Sequence, residues 1–210
     1  MTLLLKHFIL GSLQNNTFLL ANEATREALA VDPAEGSALV ADEATRNGWK
    51  VTAVLLTHAH FDHFIGFPSL CTALSYQPPI YLHESDLPLY VNGGGARQFG
   101  FTIPTMPLPT QDLSSKSALN TGEEIIQVFH TPGHSPGHVI FYLPSLATAL
   151  VGDVIFYRGI GRTDLPGGDY DQLLGSIKNV VFRLPDETIL FPGHGPETSV
   201  ASEQKENPFL

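Results

Sequence analysis

The sequence predicts an α/β protein in which two β-sheets pack face to face and helices cover their outer faces. Two observations predict this class. Apolar strands alternate with helical segments in two similar halves of the chain, and each half also contains consecutive strands typical of a meander. The chain has 210 residues, 43% of them hydrophobic, which is enough to bury the core of one domain. We therefore expect residues 1–210 to form a single domain.

The predicted elements follow from hydrophobic periodicity and from the turn residues between apolar runs. In the first half, we predict strands at 3–10, 17–21, 28–32, 51–56 and 80–82, with helices at 34–48, 64–75 and 84–91. In the second half, we predict strands at 124–130, 139–143, 147–151 and 188–191, with helices at 170–181 and 196–207. Residues 92–122 contain three consecutive glycines, several prolines and few charges, which predicts a long irregular loop or a lid over a site.

The composition argues against several partners. The net charge is −10 with only 11 Lys and Arg residues and no basic run, so we expect no binding to nucleic acid. Lys6 and His7 interrupt the apolar N-terminus, and no apolar stretch approaches the ~20 residues of a membrane span. Cys71 is the only cysteine, which fits a reducing compartment, and we expect it to be a core side chain. These features predict a cytoplasmic protein without a membrane segment.

A dense histidine motif follows a strand that is apolar on nearly every residue, and it reads THAHFDH from Thr57 to His63. Residues two apart in extended backbone point the same way, so His58 and His60 can bind one ion. A turn into the next helix would present Asp62 and His63 to a neighbouring position. Imidazole and carboxylate groups suit zinc, iron or manganese. The motif therefore predicts a metal site.

Three further candidates lie in turns or at strand ends. His134 follows a Pro-Gly turn, and we assign it as the third ligand of the first ion. His130 and His138 are alternatives for that role, although we expect them to pack or to hydrogen-bond around the ligands. Asp153 ends an apolar strand, where an unpaired buried carboxylate is costly, and its two oxygens can bridge two cations. His194 lies in a Pro-Gly-His-Gly-Pro turn and completes a second set.

These residues form two predicted ligand sets: His58, His60 and His134 for one ion, Asp62, His63 and His194 for the other, with Asp153 between them. The arrangement resembles the metallo-β-lactamase superfamily, and more narrowly its short glyoxalase II-like (hydroxyacylglutathione hydrolase-like) members. The matching pieces are residues 57–63, 131–138, 152–153, 161–164, 191–195 and 207–210. The resemblance implies a four-layer αββα sandwich with the metals at one edge.

The resemblance also implies a binuclear hydrolase. We expect two divalent ions, zinc first, with iron or manganese as alternatives. The ions bring more positive charge than Asp62 and Asp153 neutralise, so the site can hold a hydroxide near neutral pH. We expect that hydroxide, oriented by Asp62, to attack a small-molecule thioester such as S-lactoylglutathione. Thr57 could brace a ligand from behind.

Substrate contacts are less well defined by the sequence. Long glyoxalase II enzymes bind glutathione through a C-terminal helical domain, whereas only 16 residues follow His194 here, so we expect no such domain. Arg97 and Phe99 form one candidate substrate-binding wall, and Tyr157 and Arg162 form another. Arg162 could instead form a salt bridge to Asp164, which we favour.

Other functions remain as alternatives. Persulfide dioxygenases resemble this chain but use one iron held by residues matching His58, His134 and Asp153. β-Lactamases of the superfamily lack the equivalent of Asp153 and are exported, and the nuclease branch needs an inserted domain, so we expect neither. A non-catalytic binding module would be expected to lose ligands, and all seven candidates are present. His83 lies at a predicted helix start, and we expect it to cap the helix.

Overall fold

The computed structural model describes residues 3–210. The first half contributes strands β1 (Leu3–Leu10), β2 (Asn15–Asn22), β3 (Glu27–Val31), β4 (Lys50–Leu55), β5 (Ile80–Leu82) and β6 (Gln111–Asp112), and helices α1 (Ala38–Arg46), α2 (Phe67–Leu74) and α3 (Leu87–Val91). The second half contributes strands β7 (Ala118–Thr121), β8 (Glu124–His130), β9 (Val139–Leu143), β10 (Thr148–Gly152), β11 (Ile155–Phe156), β12 (Gly159–Ile160), β13 (Ile189–Pro192) and β14 (Thr198–Ser199), and helices α4 (Tyr170–Asn179) and α5 (Val200–Glu206).

Twelve of these strands form two six-stranded sheets. Strands β1 to β6 form the first sheet in sequence order, antiparallel from β1 to β3 and parallel from β3 to β6. The second sheet has the order β14-β13-β10-β9-β8-β7. The remaining strands, β11 and β12, form a separate two-stranded hairpin.

An apolar layer holds the two sheets together. Leu20, Val31 and Leu55 of the first sheet belong to the same buried cluster as Phe141 and Leu150 of the second. Each side chain of this kind contributes about 1.5–3 kcal/mol when it is fully buried. The layer therefore fixes the edge of one sheet relative to the edge of the other.

Helices cover the outer faces of both sheets. Leu19, the neighbour of Leu20 in β2, points to the opposite face and joins Leu70 of α2 in a second buried cluster. On the other side, Leu190 of β13 packs in a cluster with Leu173 and Ile177 of α4. The predicted αββα sandwich is therefore confirmed. No helix within residues 3–210 is both long enough and apolar enough to cross a membrane.

Strand direction gathers the functional loops at one edge. Strand β9 lies antiparallel to both β8 and β10, and β10 is parallel to β13, so β8, β10 and β13 run in the same direction. Their carboxyl ends lead to His134, Asp153 and His194. The loop after β4 reaches this edge from the first sheet, because Val139 N–H donates to the carbonyl of Thr57 (2.8 Å).

The helices are shorter than the sequence predicts. The helix predicted at 34–48 begins at Ala38, because residues 34–37 form a turn in which Ser37 Oγ donates to the Ala34 carbonyl (2.7 Å). The helix predicted at 64–75 begins only at Phe67, after a 3-10 turn. The helix predicted at 84–91 divides into a 3-10 turn and α3, which begins with Leu87-Pro88 because proline favours a helical first turn.

The prediction of an irregular segment at 92–122 is wrong in part. This segment contains a 3-10 turn (Ala96–Phe99), and β6 extends the first sheet by pairing with β5. Strand β7 then pairs with β8 and begins the second sheet. The predicted helix at 196–207 likewise begins with a strand, because Thr198–Ser199 pairs with β13 before α5 starts. Both segments pair with a sheet edge, which their own composition does not indicate.

Candidate metal centre

The histidine motif leaves the end of β4 as extended chain and then turns. His60 is extended (φ −73°, ψ 142°), and a 3-10 turn over Phe61–His63 follows it. Phe61 N–H donates to the carbonyl of Gly94 (3.0 Å). Gly94 has φ +59°, and a Cβ there would lie 2.4 Å from the Phe61 nitrogen, so only glycine fits. The extended stretch and the turn present the side chains to two neighbouring positions, as predicted.

The structure brings together the three histidines of the first set, which we define as His58, His60 and His134. Their candidate ligand atoms lie within 4.8 Å of one another. His60 Nδ1 lies 2.9 Å from His134 Nε2, and all three side chains are buried. A group of this kind could hold one metal ion.

The second set, which we define as Asp62, His63 and His194, is adjacent and meets the same distance limit. His194 Nε2 lies 3.1 Å from Asp62 Oδ2, and His63 Nε2 lies 3.7 Å from the same oxygen. Asp153 stands between the sets. Its Oδ1 is 3.5 Å from His63 Nε2, and its Oδ2 is 3.5 Å from His134 Nε2.

Buried side-chain atoms that lack a hydrogen-bond partner indicate whether metal ions fit between the two sets. Within residues 3–210, His58 Nε2, His63 Nε2 and Asp153 Oδ1 are buried and have no hydrogen-bond partner. Leaving such an atom unsatisfied costs about 1–3 kcal/mol. All three residues form a further group that could hold a metal ion. Nitrogen and carboxylate donors suit zinc, iron and manganese, so the donor set fits divalent metals without selecting one.

Hydrogen bonds on the far side of each ring fix which nitrogen faces the centre. His134 Nδ1 lies 2.8 Å from the Arg162 carbonyl, and His194 Nδ1 lies 3.0 Å from the Leu13 carbonyl. A carbonyl only accepts, so each Nδ1 carries the hydrogen and each Nε2 is free to bind a cation. The neighbouring backbone therefore prepares both rings as ligands.

Asp32 supports both sets, and the sequence analysis missed this role. Its Oδ2 accepts from Thr57 Oγ1 (2.7 Å) and lies 3.0 Å from His63 Nδ1. Thr57 Oγ1 in turn lies 3.0 Å from His58 Nδ1, so the threonine braces a ligand as expected. The available signal was the position of Asp32, directly after the apolar strand β3.

Asp86 is a second missed residue, and it joins the two loops of the first set. This fully buried carboxylate accepts from Ala59 N–H (2.9 Å), Ser135 Oγ (2.8 Å) and Gly137 N–H (2.6 Å). Ala59 lies between His58 and His60, and Ser135 follows His134. Asp86 therefore fixes the distance between these loops.

The two alternative histidines point elsewhere. His138 Nε2 accepts from the backbone N–H of Asp153 (3.0 Å), and its Nδ1 lies 2.8 Å from Thr131 Oγ1. His130 stacks on His83 with ring centroids 4.2 Å apart. His83 caps a 3-10 turn through Nδ1, which accepts from Ser85 N–H (3.2 Å). His138 therefore supports the backbone of the candidate ligand Asp153, whereas His130 packs on His83, and His83 has the capping role that we expected.

The two sets differ electrostatically. Burial and neighbouring histidines lower the pKa of His58 well below its ordinary value and that of His60 to about 3. In the second set, burial opposes the charge of His63, yet Asp62, Asp153 and Asp32 raise its pKa well above the ordinary value. Burial likewise opposes ionisation of Asp62, but His63 and His194 lower its pKa to about 2. His58 and His60 therefore lose a proton readily, whereas nearby carboxylates favour the protonated forms of His63 and His194.

The predicted substrate contacts do not share one environment. Arg162 binds Asp164 through Nε (2.7 Å) and Nη2 (2.8 Å), as we favoured, and its guanidinium lies 5.8 Å from the ring centroid of Phe99. Arg97 lines a cavity of about 550 Å3 that also borders His60. Tyr157 is exposed, and its ring contacts the guanidinium of Arg158 (4.7 Å).

A family model described as the metallo-beta-lactamase superfamily matches residues 10–194. The chain belongs to this superfamily. Within it, a probable metallo-hydrolase, YqgX of Bacillus subtilis (strain 168), is 35% identical over 95% of this chain and 94% of its own length. The hydroxyacylglutathione hydrolase GloC of Haemophilus influenzae is 31% identical over 94% of this chain and 93% of its own.

Two solved structures of the superfamily are also similar. TTHA1623 in a di-iron-bound form has a TM-score of 0.85 and 40% identity, covering 98% of this chain and 100% of that one. BLEG-1, described as a B3 metallo-beta-lactamase, has a TM-score of 0.90 and 38% identity, with 99% of each chain covered. Because BLEG-1 is described as a β-lactamase, overall similarity does not distinguish this chain from the β-lactamases. That this chain is not a β-lactamase therefore stays a prediction.

Proposed function

We propose that this protein is a binuclear metal-dependent hydrolase of thioesters of the S-acyl glutathione type, such as S-lactoylglutathione. The observation that carries the proposal is the pair of adjacent sets joined by Asp153, with buried donor atoms turned toward a shared centre. Similarity to a hydroxyacylglutathione hydrolase supports the substrate class. The superfamily supplies the coarser conclusion, that the chain is a metallo-hydrolase.

In this proposal His58, His60 and His134 would hold one ion, Asp62, His63 and His194 would hold the other, and Asp153, which lies between the sets, would serve both. Zinc is the expected metal, with iron and manganese as alternatives. Divalent ions held there would supply a Lewis acid and lower the pKa of bound water toward about 7.

Asp62 is the proposed catalytic residue of the chain. Its Oδ2 accepts from Asn15 Nδ2 (2.8 Å) and lies 3.1 Å from His194 Nε2, which leaves Oδ1 to accept from the attacking water. Its low pKa keeps it ionised at neutral pH. The water oxygen attacks the thioester carbon while its proton passes to Asp62 Oδ1. The C–S bond then breaks, and the thiolate leaves with the electron pair and takes up that proton. A serine or cysteine nucleophile is not needed for this reaction.

A second candidate function is persulfide dioxygenation with one iron. The closeness of Asp153 Oδ2 to His134 Nε2 (3.5 Å) favours it, because two histidines and one carboxylate suit iron oxygenases. Iron is also present in the similar protein TTHA1623. In this alternative His58, His134 and Asp153 would hold the metal.

Metal analysis combined with two assays tests these functions. We expect about two ions per chain and hydrolysis of S-lactoylglutathione that is lost on chelation and restored by metal. Two bound metals without thioesterase activity would refute the hydrolase. One iron per chain with oxygen uptake on glutathione persulfide would instead support the dioxygenase. Hydrolysis of a β-lactam faster than of any thioester would place the chain with the lactamases.

A further inference from the structure

We propose that the cavity of about 550 Å3 beside His60 binds the thiol arm of the substrate, and that Arg97 pairs with a carboxylate on that arm. The inference rests on the proposed thioesterase function and adds the part of the substrate that the chain recognises. The cavity is lined by four segments of the chain: His60, residues 85–98, Pro136 and residues 165–167.

The cavity opens directly onto the first set. His60 lines it, together with the start of α3, the 3-10 turn at Ala96–Phe99, and the turn at 165–167. A molecule in the cavity therefore contacts the edge of the candidate metal centre. The volume falls within the ~300–1,000 Å3 typical of small-molecule sites. That size suits a peptide-like arm better than the short acyl group of a lactoyl thioester.

The walls are mainly apolar and stiff. Pro88, Leu89, Pro136, Leu165 and Pro166 contribute hydrocarbon surface. Proline side chains lose little conformational entropy when a ligand packs against them. The ligand should therefore have an aliphatic portion that displaces water from these walls.

Arg97 is the cation that lines this cavity. Within residues 3–210, Arg162 forms an ion pair with Asp164, and Arg158 forms ion pairs with Glu203 and Glu206. Arg97 forms no ion pair with a carboxylate in this part of the chain. The protein has 21 acidic residues against 11 lysines and arginines, so an arginine without an acidic partner is notable at a cavity. A guanidinium binds a carboxylate through two parallel hydrogen bonds. The Nε–Nη2 edge of Arg162 already binds Asp164, whereas Arg97 has no acidic partner, so we assign carboxylate recognition to Arg97.

Two substrates that differ only in their carboxylates distinguish loss of carboxylate recognition from a general loss of activity. We expect Arg97→Ala to lower kcat/KM for S-lactoylglutathione about tenfold, which is the loss of one charge-assisted hydrogen-bonded pair. The dimethyl ester of the same thioester should change by less than about twofold. Arg97→Glu should lower the activity on the free acid further and spare the ester. Arg46→Ala, which removes an exposed arginine of α1, is the control and should leave both substrates unaffected.

Equal losses on the acid and the ester, or no loss on either, would overturn the assignment. Direct binding keeps the test independent of hydrolysis. Calorimetric titration with S-hexylglutathione, a thioether that cannot be hydrolysed, should show about tenfold weaker binding for Arg97→Ala. If the wild-type protein binds S-hexylglutathione through Arg97 but hydrolyses no thioester, the proposed reaction fails and the cavity assignment stands. If the wild-type protein hydrolyses thioesters but Arg97→Ala leaves S-hexylglutathione binding unchanged, the cavity assignment fails alone.

Discussion

His58, His60 and His134 form a set of imidazoles alone, whereas the neighbouring set combines the carboxylate of Asp62 with His63 and His194. The first set has pKa values shifted down at His58 and His60, so these rings are neutral ligands at physiological pH. The second set has raised pKa values at His63 and His194, because carboxylates face them. One set offers lone pairs directly, and the other must release protons before it binds a cation.

The difference shows that two adjacent sites can bind the same kind of ion with different competition from protons. Charge in the second set attracts a cation but also retains protons. The neutral rings of His58 and His60 reduce that competition, yet the first set offers an ion no carboxylate other than Asp153. The shared carboxylate is therefore the point at which the two sets depend on each other.

Asp153→Asn should have the largest effect on this comparison. We expect weak binding of both ions and loss of about 100-fold or more of thioester hydrolysis, because one change removes a contact from each set. Metal content after dialysis and kcat/KM measure it. Asp171→Asn, in an exposed position on α4, is the control. A variant that kept two tightly bound ions would show that the sets are independent.

Asp86→Asn and Asp32→Asn should differ in how many of the two ions they weaken. Within residues 3–210, the hydrogen bonds of the Asp86 carboxylate go to the loops of the first set. Its variant should therefore bind one ion about 10–100-fold more weakly and leave the other unchanged. Asp32 contacts His63 directly and His58 through Thr57, so its variant should weaken both. Competition with a chromophoric chelator gives the two dissociation constants.

The control for this pair is Asp42→Asn, an exposed position on α1. Circular dichroism checks that each variant is folded. Identical losses at both ions in the two variants would contradict the distinction between Asp86 and Asp32.

Acidification should remove the ions one at a time. The raised pKa values of His63 and His194 mean that protons compete for the second set as pH falls toward those values. The lowered pKa values of His58 and His60 keep these two rings unprotonated to lower pH. Dialysis over a series of pH values should therefore show a step from two ions to one before the last is lost. A single step would mean that the sets do not differ in this way.

Asn15→Ala should have the smallest effect. Asn15 Nδ2 donates to Asp62 Oδ2 (2.8 Å) and helps to lower the pKa of that carboxyl. Removing one hydrogen bond should reduce kcat by about 2–10-fold without loss of metal. The exposed Asn179→Ala in α4 is the control. Loss of an ion in the Asn15 variant would mean that this residue supports metal binding as well as the orientation of Asp62.

The sequence could predict the candidate ligands because each follows an apolar strand, and strand ends of like direction meet at one edge. It also predicted the salt bridge of Arg162 to Asp164, since only Thr163 lies between them. Asp32 and Asp86 were missed for a physical reason. Their partners, Thr57 and Ala59, lie in another part of the chain. The position of a carboxylate after a strand can indicate that it is buried, but the neighbouring sequence does not identify its hydrogen-bond partner.

The helix boundaries and the segment at 92–122 show the same limit. Pairing of β6 with β5 and of β7 with β8 depends on a sheet edge that another part of the chain supplies. Composition alone favoured a loop there. The cavity near Arg97 could not be predicted either, because its walls come from four separate segments of the chain.

Gly94 fastens the segment that carries Arg97 to the backbone of the histidine motif at Phe61. The attachment uses main-chain atoms, so it places few demands on the side chains that follow it. The exposed side chains of Arg97 and Gln98 can therefore vary in size and charge while the histidines keep their positions. In evolutionary terms, this one contact lets the substrate preference of the chain diverge while its chemistry is conserved, and related proteins should differ most in the segment just beyond it.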